Sequence, residues 1–357
     1  MIGYLLQKIG YAFLTLFGVV TVIFLLFNIL PGDPARMMLG QNETAEQVAI
    51  VKKKYGFDQP LSKQYAYYIN DLSPISIHST NKKDYTYFSD KKYTGLKLFN
   101  VGESNVVIKT PHLRESFQKN GKKVSAVIAE TLPNTIVLAL SSITIAMILG
   151  VFLGIVSAKF KDSWIDKFIQ LVSTFGMSVP SFFSAILFAW FFGFLLHNYT
   201  GLNMTGSLYE VDDFGNGAKI QWKNLILPAV VLGIRPLAVV SQLMRNSLLE
   251  VLSADYIRTA KAKGLSEYTI IRKHALKNAM NPVLTAISGW FASMLAGAVF
   301  VEYIFGWNGL GKQIVDALNT LDLPVITGSV IVIASLFIVI NIFVDVIYGW
   351  LDPKIRN

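Results

Sequence analysis

The chain has no cysteine among its 357 residues, which excludes a disulfide framework and thiol chemistry. Histidine is nearly as scarce. His78, His112, His197 and His274 are scattered, and no His/Asp/Glu cluster has metal-ligand spacing, so no metal site is expected. No Ser/His/Asp set falls on one predicted surface, and no inward pair of carboxylates offers acid–base work; the chain does not read as an enzyme. Charge is thin as well. Asp, Glu, Lys and Arg make up 15% of the residues, against roughly a quarter in soluble domains. Apolar residues reach 53% and the mean hydropathy is +0.47. That is membrane-protein composition. The formal charge of +9 is concentrated in segments, which fits membrane topology better than nucleic-acid binding.

The first apolar run is Ile9–Leu30, 22 residues behind Lys8. About 20 such residues cross a bilayer. The exit Leu30-Pro31-Gly32-Asp33-Pro34 stops a helix but lacks an Ala-x-Ala-like cleavage site, so an uncleaved first span is expected. Residues 31–129 form a long polar loop. In it, Thr44 with Gln47 forms a capping-box pattern that predicts a helix ending near Gly56. Pro60 opens a second helix with Leu61, Tyr65, Tyr68, Ile69 and Leu72 at helical spacing. Residues 73–112 read differently. Tyr85, Tyr87, Leu96, Leu98, Val106 and Ile108 suggest short strands, a small β insertion into the loop.

The second span is expected at Pro133–Ala158. Ala146, Gly150, Gly154 and Ala158 recur every four residues, the pattern of a helix-packing face. Lys159, Lys161 and Lys167 with Asp162 and Asp166 make a short turn. Trp164–Leu196 is too long for one straight span and is interrupted at Ser178-Val179-Pro180-Ser181. The reading is one broken or kinked span. His197–Lys223 is a short outer loop carrying Glu210, Asp212 and Asp213. Asn224–Leu243, with Pro228, Arg235 and Pro236, is the fourth span, Pro282–Val301 the fifth and Val325–Trp350 the sixth. This gives an all-α polytopic chain divided as 1–30, 31–129 and a five-helix core over 130–357, with both termini cytoplasmic.

Between the fourth and fifth spans lies DYIRTAKAKGLSEYTIIRKHALKNAMNP, Asp255–Pro282. Within Arg245–Asn281 seven Lys/Arg and one His stand against three acids, the mark of a cytoplasmic segment. Two helical patterns meet at Gly264 in a projecting elbow; read by itself, it could also be a basic, solvated loop. Gly306-Trp307-Asn308-Gly309-Leu310-Gly311-Lys312 matches the first seven places of a phosphate-binding loop. Gln313 stands where Ser or Thr should bind Mg²⁺, and the segment falls on the outer side, so nucleotide binding there is not expected. Arg235 is the basic residue well inside a span, which points to a cavity, a substrate carboxylate or a structural pair. Ser141 and Asn341 are further pathway candidates, although Ser141, Ser142, Thr144 and Asn341 more often bond their own or a neighbouring helix. Glu302 and Asp345, toward span ends, are expected to reach the interface or cap backbone donors.

The elbow resembles the coupling loop of ABC-importer permeases in its di- and oligopeptide version. The matching residues are Tyr256, Arg258-Thr259-Ala260, Ala262-Lys263-Gly264-Leu265, His274-Ala275-Leu276, Asn278-Ala279 and Pro282. The general motif begins Glu-Ala-Ala, and Arg258-Thr259-Ala260 is the peptide-branch form. LPGDPA, MLGQNETAEQ, YGFDQPLSKQY, ETLPNT, SVPSF, EYIFGW and LDPKIR extend the resemblance over most of the chain except about residues 73–112. It implies a B-type permease of the type I, MetI-like importer fold in a bacterial inner membrane. Implied partners are a homologous second permease, two cytoplasmic ATPases and an extracytoplasmic binding protein, in the lipid bilayer and without nucleic acid. The chain would hold no cofactor, with ATP and Mg²⁺ on the ATPases. The coupling residues would be Asp255, Tyr256, Arg258, Thr259, Ala260, Lys261, Ala262, Lys263, Gly264 and Leu265. Peptide, nickel or another small solute stays open, and an ion-coupled carrier or a membrane enzyme is the rival of another class.

Overall fold

The computed structural model describes residues 2–29, 33–39, 44–119, 121–211 and 217–351. Residues 30–32 of the LPGDPA exit, 40–43 of MLGQNETAEQ, Asp212, Asp213, the tail after Leu351 and the Asp345 side chain lie outside the described part. The chain divides into two compact units, residues 1–130 with 314–335 and residues 131–313 with 336–357.

The first unit begins with α1 (Ile2–Ile29), the expected first span, whose apolar stretch is Gln7–Phe27. A short α2 (Pro34–Leu39) follows. α3 (Ala45–Tyr55) opens on the predicted capping box, with Gln47 N donating to Thr44 Oγ1 at 3.3 Å and Thr44 N to Gln47 Oε1 at 3.0 Å. It closes on Gly56 at φ 73°, a left-handed conformation that glycine takes without steric cost. α4 (Leu61–Leu72) starts after Pro60, as its sequence predicts. Tyr65, Tyr68, Ile69 and Leu72 pack on Val20, Ile23 and Phe24 of α1, while Leu61 is left exposed. A Thr21–Tyr65 hydroxyl contact of 2.7 Å joins the same two helices.

The strands are β1 (Ile75–Ser79), β2 (Gly95–Val101) and β3 (Ser104–Lys109), an antiparallel sheet in the order β1-β3-β2. Leu96, Leu98, Val106 and Ile108 are therefore strand residues as expected. Tyr85 and Tyr87 are not. They sit in turns, because residues 80–93 are punctuated by Asn81, Asp84, Ser89 and Asp90. The Tyr85 hydroxyl is drawn instead to buried Asp71, at 2.7 Å. Asp71 also accepts from Tyr93 Oη at 2.9 Å and from Arg114 Nε at 3.2 Å.

α5 (Val124–Lys159) is the second span and starts earlier than Pro133. Its 36 residues carry that proline inside the helix, near the N-terminal end. The small-residue face is a packing face, as expected. A side chain at Gly150 would meet Val240, and one at Gly154 would lie 2.6 Å from Met244 Cβ and 2.7 Å from the Ser241 carbonyl. Both neighbours belong to α9 (Lys223–Leu252), which α6 (Trp164–Ser178), α7 (Ser181–Phe188) and α8 (His197–Thr200) precede. α7 runs on as a π-helix over Ala189–Leu195. α6 and α7 with its continuation meet at 108°, so the break at Val179-Pro180 is a sharp turn rather than a kink. Between α8 and α9, β4 (Tyr209–Val211) and β5 (Ala218–Ile220) pair antiparallel.

After α9 come α10 (Asp255–Ala262), α11 (Glu267–Thr269), a π-helical turn over Ile270–Ala275, and α12 (Leu276–Gly297). α13 (Val299–Ile304), α14 (Leu310–Asn319) and α15 (Leu323–Leu351) complete the chain. By length and composition four helices among the described residues can cross a membrane, and the bent pair adds a fifth only when it is counted as one span. The remaining expected span is α12, whose apolar character is diluted by Asn278, Asn281, Thr285, Ser288 and Ser293. The fold is that of a polytopic all-α membrane protein.

Two substitutions test this packing. Gly154→Leu forces its side chain into Met244 and the α9 backbone, which costs about 1–3 kcal/mol or more; a thermal melt of the detergent-solubilised chain should move clearly downward, while Gly10→Leu, with open space around it, should not. Arg245→Met leaves buried Asp166 without its bidentate partner at 2.6 and 2.7 Å, a loss of roughly 3–5 kcal/mol. Unchanged melting of Arg245→Met would show that the pair does not brace α9 on α6.

Candidate coupling surface and pathway residues

The elbow is built from two faces of α10. Ile257 and Ala260, three residues apart, are buried and join Val240, Met244 and Leu248 of α9, Ala158 of α5, and Ile270, Ala275, Ala279 and Val283. The spacing puts both on one side of the helix. The opposite side is free. Asp255, Tyr256, Arg258, Thr259, Lys261, Ala262, Lys263, Gly264 and Leu265 are all exposed. Of the expected coupling residues Ala260 alone is buried, and it seats α10 on that cluster.

Local bonds fix the turn. Thr259 Oγ1 donates to the Asp255 carbonyl at 3.2 Å, and Arg258 pairs with Asp255 at 3.2 Å. Both members of that pair are exposed, and such pairs contribute little to stability. Gly264 has φ 76°, which lets the chain leave α10 and bond Leu265 N back to the Ala260 carbonyl at 3.3 Å. Ser266 then caps α11 by accepting from Thr269 N at 3.4 Å. Across the elbow Asn278 Nδ2 donates to Tyr256 Oη at 2.8 Å. The exposed surface that results is basic, from Arg258, Lys261, Lys263, Arg272, Lys273 and Lys277, with Tyr256, Leu265 and Tyr268 as apolar points within it.

Beneath it lies an ion pair that the sequence pattern does not announce. Asp166, placed in a charged turn by its neighbours, is buried. Arg245 holds both its carboxylate oxygens, Ser157 Oγ donates to it at 2.5 Å, and Asp162 N at 2.9 Å. The pair ties the start of α6 to the end of α9, just before the elbow. The available signal was Ser163 three residues ahead of Asp166, an N-cap pattern that directs the carboxylate inward.

The pathway candidates are not joined. Arg235 Nε and Nη2 both point at the Met177 carbonyl, each at 3.4 Å. That carbonyl belongs to the last turn of α6, where a helix leaves acceptors unsatisfied and a cation is favoured. Ser141 is half-buried on α5, and Asn341 Nδ2 donates to Phe337 O of its own helix at 2.9 Å. Ser142 and Thr144 likewise bond Leu138 O and Leu140 O, each at 2.7 Å. No hydrogen bond among the described residues links Arg235, Ser141 and Asn341.

The glycine-rich turn after α13 holds a carboxylate of its own. Glu302 is fully buried, and its Oε2 accepts from Gly311 N at 2.7 Å and Lys312 N at 3.1 Å, the first amides of α14. A side chain on Gly309 or Gly311 would collide with that carboxylate. Glu302 thus caps backbone donors, as expected, and fills the place a phosphate would need. The same turn is strapped to α5: Trp307 Nε1 donates to Asn134 O at 3.1 Å, Asn134 Nδ2 to Asn308 O at 2.7 Å, and Leu310 N to Thr135 Oγ1 at 2.8 Å.

Among the described residues no group of three or more His, Cys, Asp or Glu is placed to hold a metal ion. Comparisons with known proteins give the family. Residues 150–357 match the model of the binding-protein-dependent transport system inner membrane component, and residues 1–82 match its N-terminal companion. The chain is 32% identical to a dipeptide transport system permease protein of Alkalihalophilus pseudofirmus, covering 100% of both chains. It is 31% identical to a di/tripeptide transport system permease protein of Pseudomonas aeruginosa, over 100% of this chain and 99% of that one. A glutathione transport system permease protein of Escherichia coli is 32% identical, over 100% and 99%. Among solved structures, the MetNI methionine ABC transporter in inward-facing form has a chain matching at TM-score 0.51 and 14% identity, over 64% of this chain and 97% of that one; this likeness is one of fold. The chain belongs to the family of binding-protein-dependent transport system inner membrane components.

Proposed function

We propose that this chain is the membrane permease subunit of an ATP-binding-cassette importer that carries di- and oligopeptides. The support is the full-length likeness to permeases named for dipeptide, di/tripeptide and glutathione transport, substrates that share a peptide backbone or its close relative. The observation that carries the coupling part is α10: one face is packed into α5, α9 and α12, and the other is exposed, basic and rigidly turned.

The mechanism rests on that two-faced build. A partner ATPase receives the exposed face of α10, including Tyr256, Arg258, Lys261, Lys263 and Leu265. Its movement on ATP binding and hydrolysis is passed through Ile257 and Ala260 into α9 and α12, and through Arg245–Asp166 into α6. ATP and Mg²⁺ are held by the ATPase pair, and the permease holds no cofactor. A homologous second permease supplies the other wall of the pathway, and an extracytoplasmic binding protein delivers the solute. The elbow and both termini lie in the cytoplasm, since seven Lys/Arg cluster over Arg245–Asn281. Arg235 at the α6–α7 break stabilises the end of α6 and stands beside the bend that any outward opening must work.

Gly264→Pro cannot hold φ 76°, because proline fixes φ near −65°, so the elbow loses its turn. Arg258→Glu with Lys261→Glu reverses the charge of the docking face without touching the buried one. Each should cut ATP-dependent peptide uptake by about tenfold or more and weaken ATPase co-purification, with the chain still in the membrane; normal values of both would refute docking at α10. Arg235→Ala should lower uptake several-fold while ATPase co-purification stays at the wild-type level. An ion-coupled carrier predicts the opposite energy dependence: uptake that persists when ATP is withdrawn and the ion gradient is kept would replace the importer reading.

A further inference from the structure

The first unit carries a cavity of about 700 Å³ that the transport reading does not use. Its walls come from α3, the turns between β1 and β2, and the segment after β3. Six cationic side chains line it: Lys53, Lys82, Lys83, Lys91, Lys92 and Arg114. Two acids, Asp84 and Glu115, also line it, so the count is six cations against two acids, an excess of four. One acid is already occupied, since Ser79 Oγ donates to Asp84 at 2.6 Å.

The floor is built rather than merely basic. Arg114 sits at φ 65°, a left-handed backbone that is uncommon for a residue with a side chain. Its guanidinium is held by Asp71 at 3.2 Å and lies 5.1 Å from the Tyr68 ring centre. Lys92 Nζ stands 3.6 Å from the centre of the Tyr85 ring and donates to the Tyr85 carbonyl at 3.0 Å. Just behind, buried Lys109 donates to the Ser73 carbonyl at 3.1 Å and to the Asp71 carbonyl. Among the described residues Asp71 is thus the one buried carboxylate set between Arg114, Lys92 and Lys109. Burial pushes Lys92 down to about 8, Asp71 opposing and Arg114 adding to the shift. Burial likewise pushes His112 on the wall down to about 4, so it adds no charge at neutral pH.

A concave site of small-molecule size with such an excess of positive charge favours a compact, multiply charged anion. A guanidinium fork beside several ammonium groups suits phosphate oxygens better than a single carboxylate. We propose that this cavity is an anion-binding site that takes a phosphate-bearing group, either a free phosphate compound or the headgroup of an anionic phospholipid.

The test uses the full-length chain in phosphatidylcholine nanodiscs, with acylation of Lys92 read by mass spectrometry. Inorganic pyrophosphate should bind saturably and protect Lys92. Exposed Lys83→Gln and, separately, exposed Lys91→Gln should each weaken pyrophosphate binding, read as Lys92 protection, by about tenfold. Lys97→Gln, on β2 and outside the cavity, should leave it within about twofold. In nanodiscs of phosphatidylglycerol without pyrophosphate, protection of Lys92 would make the headgroup the ligand; protection by pyrophosphate alone would make it a free phosphate compound. Absence of saturable protection in both arms would overturn the site, as would an equal loss in Lys97→Gln, which marks diffuse attraction to a basic surface. Protection seen only with an acidic protein present would also overturn it.

Discussion

The close approach of α5 and α9 is the constraint on which the second unit rests. Gly150 and Gly154 have no side chains to hold the two backbones apart, and Val240, Met244 and the Ser241 carbonyl occupy the space that side chains would need. In a lipid environment burial alone gives helices little reason to associate, so such close contact and internal polar bonds must hold them. The same α9 then serves two purposes along its length. Near its middle Arg235 reaches the last turn of α6, and at its end Arg245 and Leu248 anchor the base of the elbow. α10 takes its position from α9 through Ile257 and Ala260, which share a buried cluster with Val240, Met244 and Leu248.

Three buried carboxylates are met to different degrees, and leaving such a group without partners is costly. Asp166 is met by Arg245, Ser157 and the Asp162 amide. Glu302 is met by two amides at the head of α14 on Oε2, while its Oε1 is buried without a hydrogen-bond partner among the described residues. Asp71 is met by two tyrosines and Arg114, and burial, which alone would raise its carboxyl, is outweighed by Arg114 and Lys92, so it stays below the usual carboxylate range. In each case the ion fixes the relative placement of segments far apart in sequence, or of a helix end and a loop.

Much of this is legible in the sequence because it is local. The Thr44 capping box, the Gly56 stop, the Pro60 start, the four-residue period on α5 and the helix–Gly264–helix elbow each need only neighbouring residues to be read. The features that escape depend on distant pairs. The spacing of Tyr85 and Tyr87 suggests a strand, yet Tyr85 answers to Asp71, fourteen positions away, and that contact decides the turn. Asp166 reads as one of several turn charges, but Arg245, seventy-nine positions on, draws it inside. The break at Pro180 is plain, but a proline does not by itself set an angle, and the 108° between the two helices is not readable from it. Within the elbow, exposure obeys the helical period well enough to single out Ala260 as inward, since it lies three residues from Ile257.

The strap between the glycine-rich turn and α5 restricts how the membrane portion can rearrange. Trp307, Asn308 and Leu310 are fastened to Asn134 and Thr135 by three hydrogen bonds, and Glu302 locks the turn to the head of α14 from within. These contacts make the turn, the head of α14 and the Asn134–Thr135 part of α5 one braced block, with the Trp307 indole enclosed in it and out of solvent's reach.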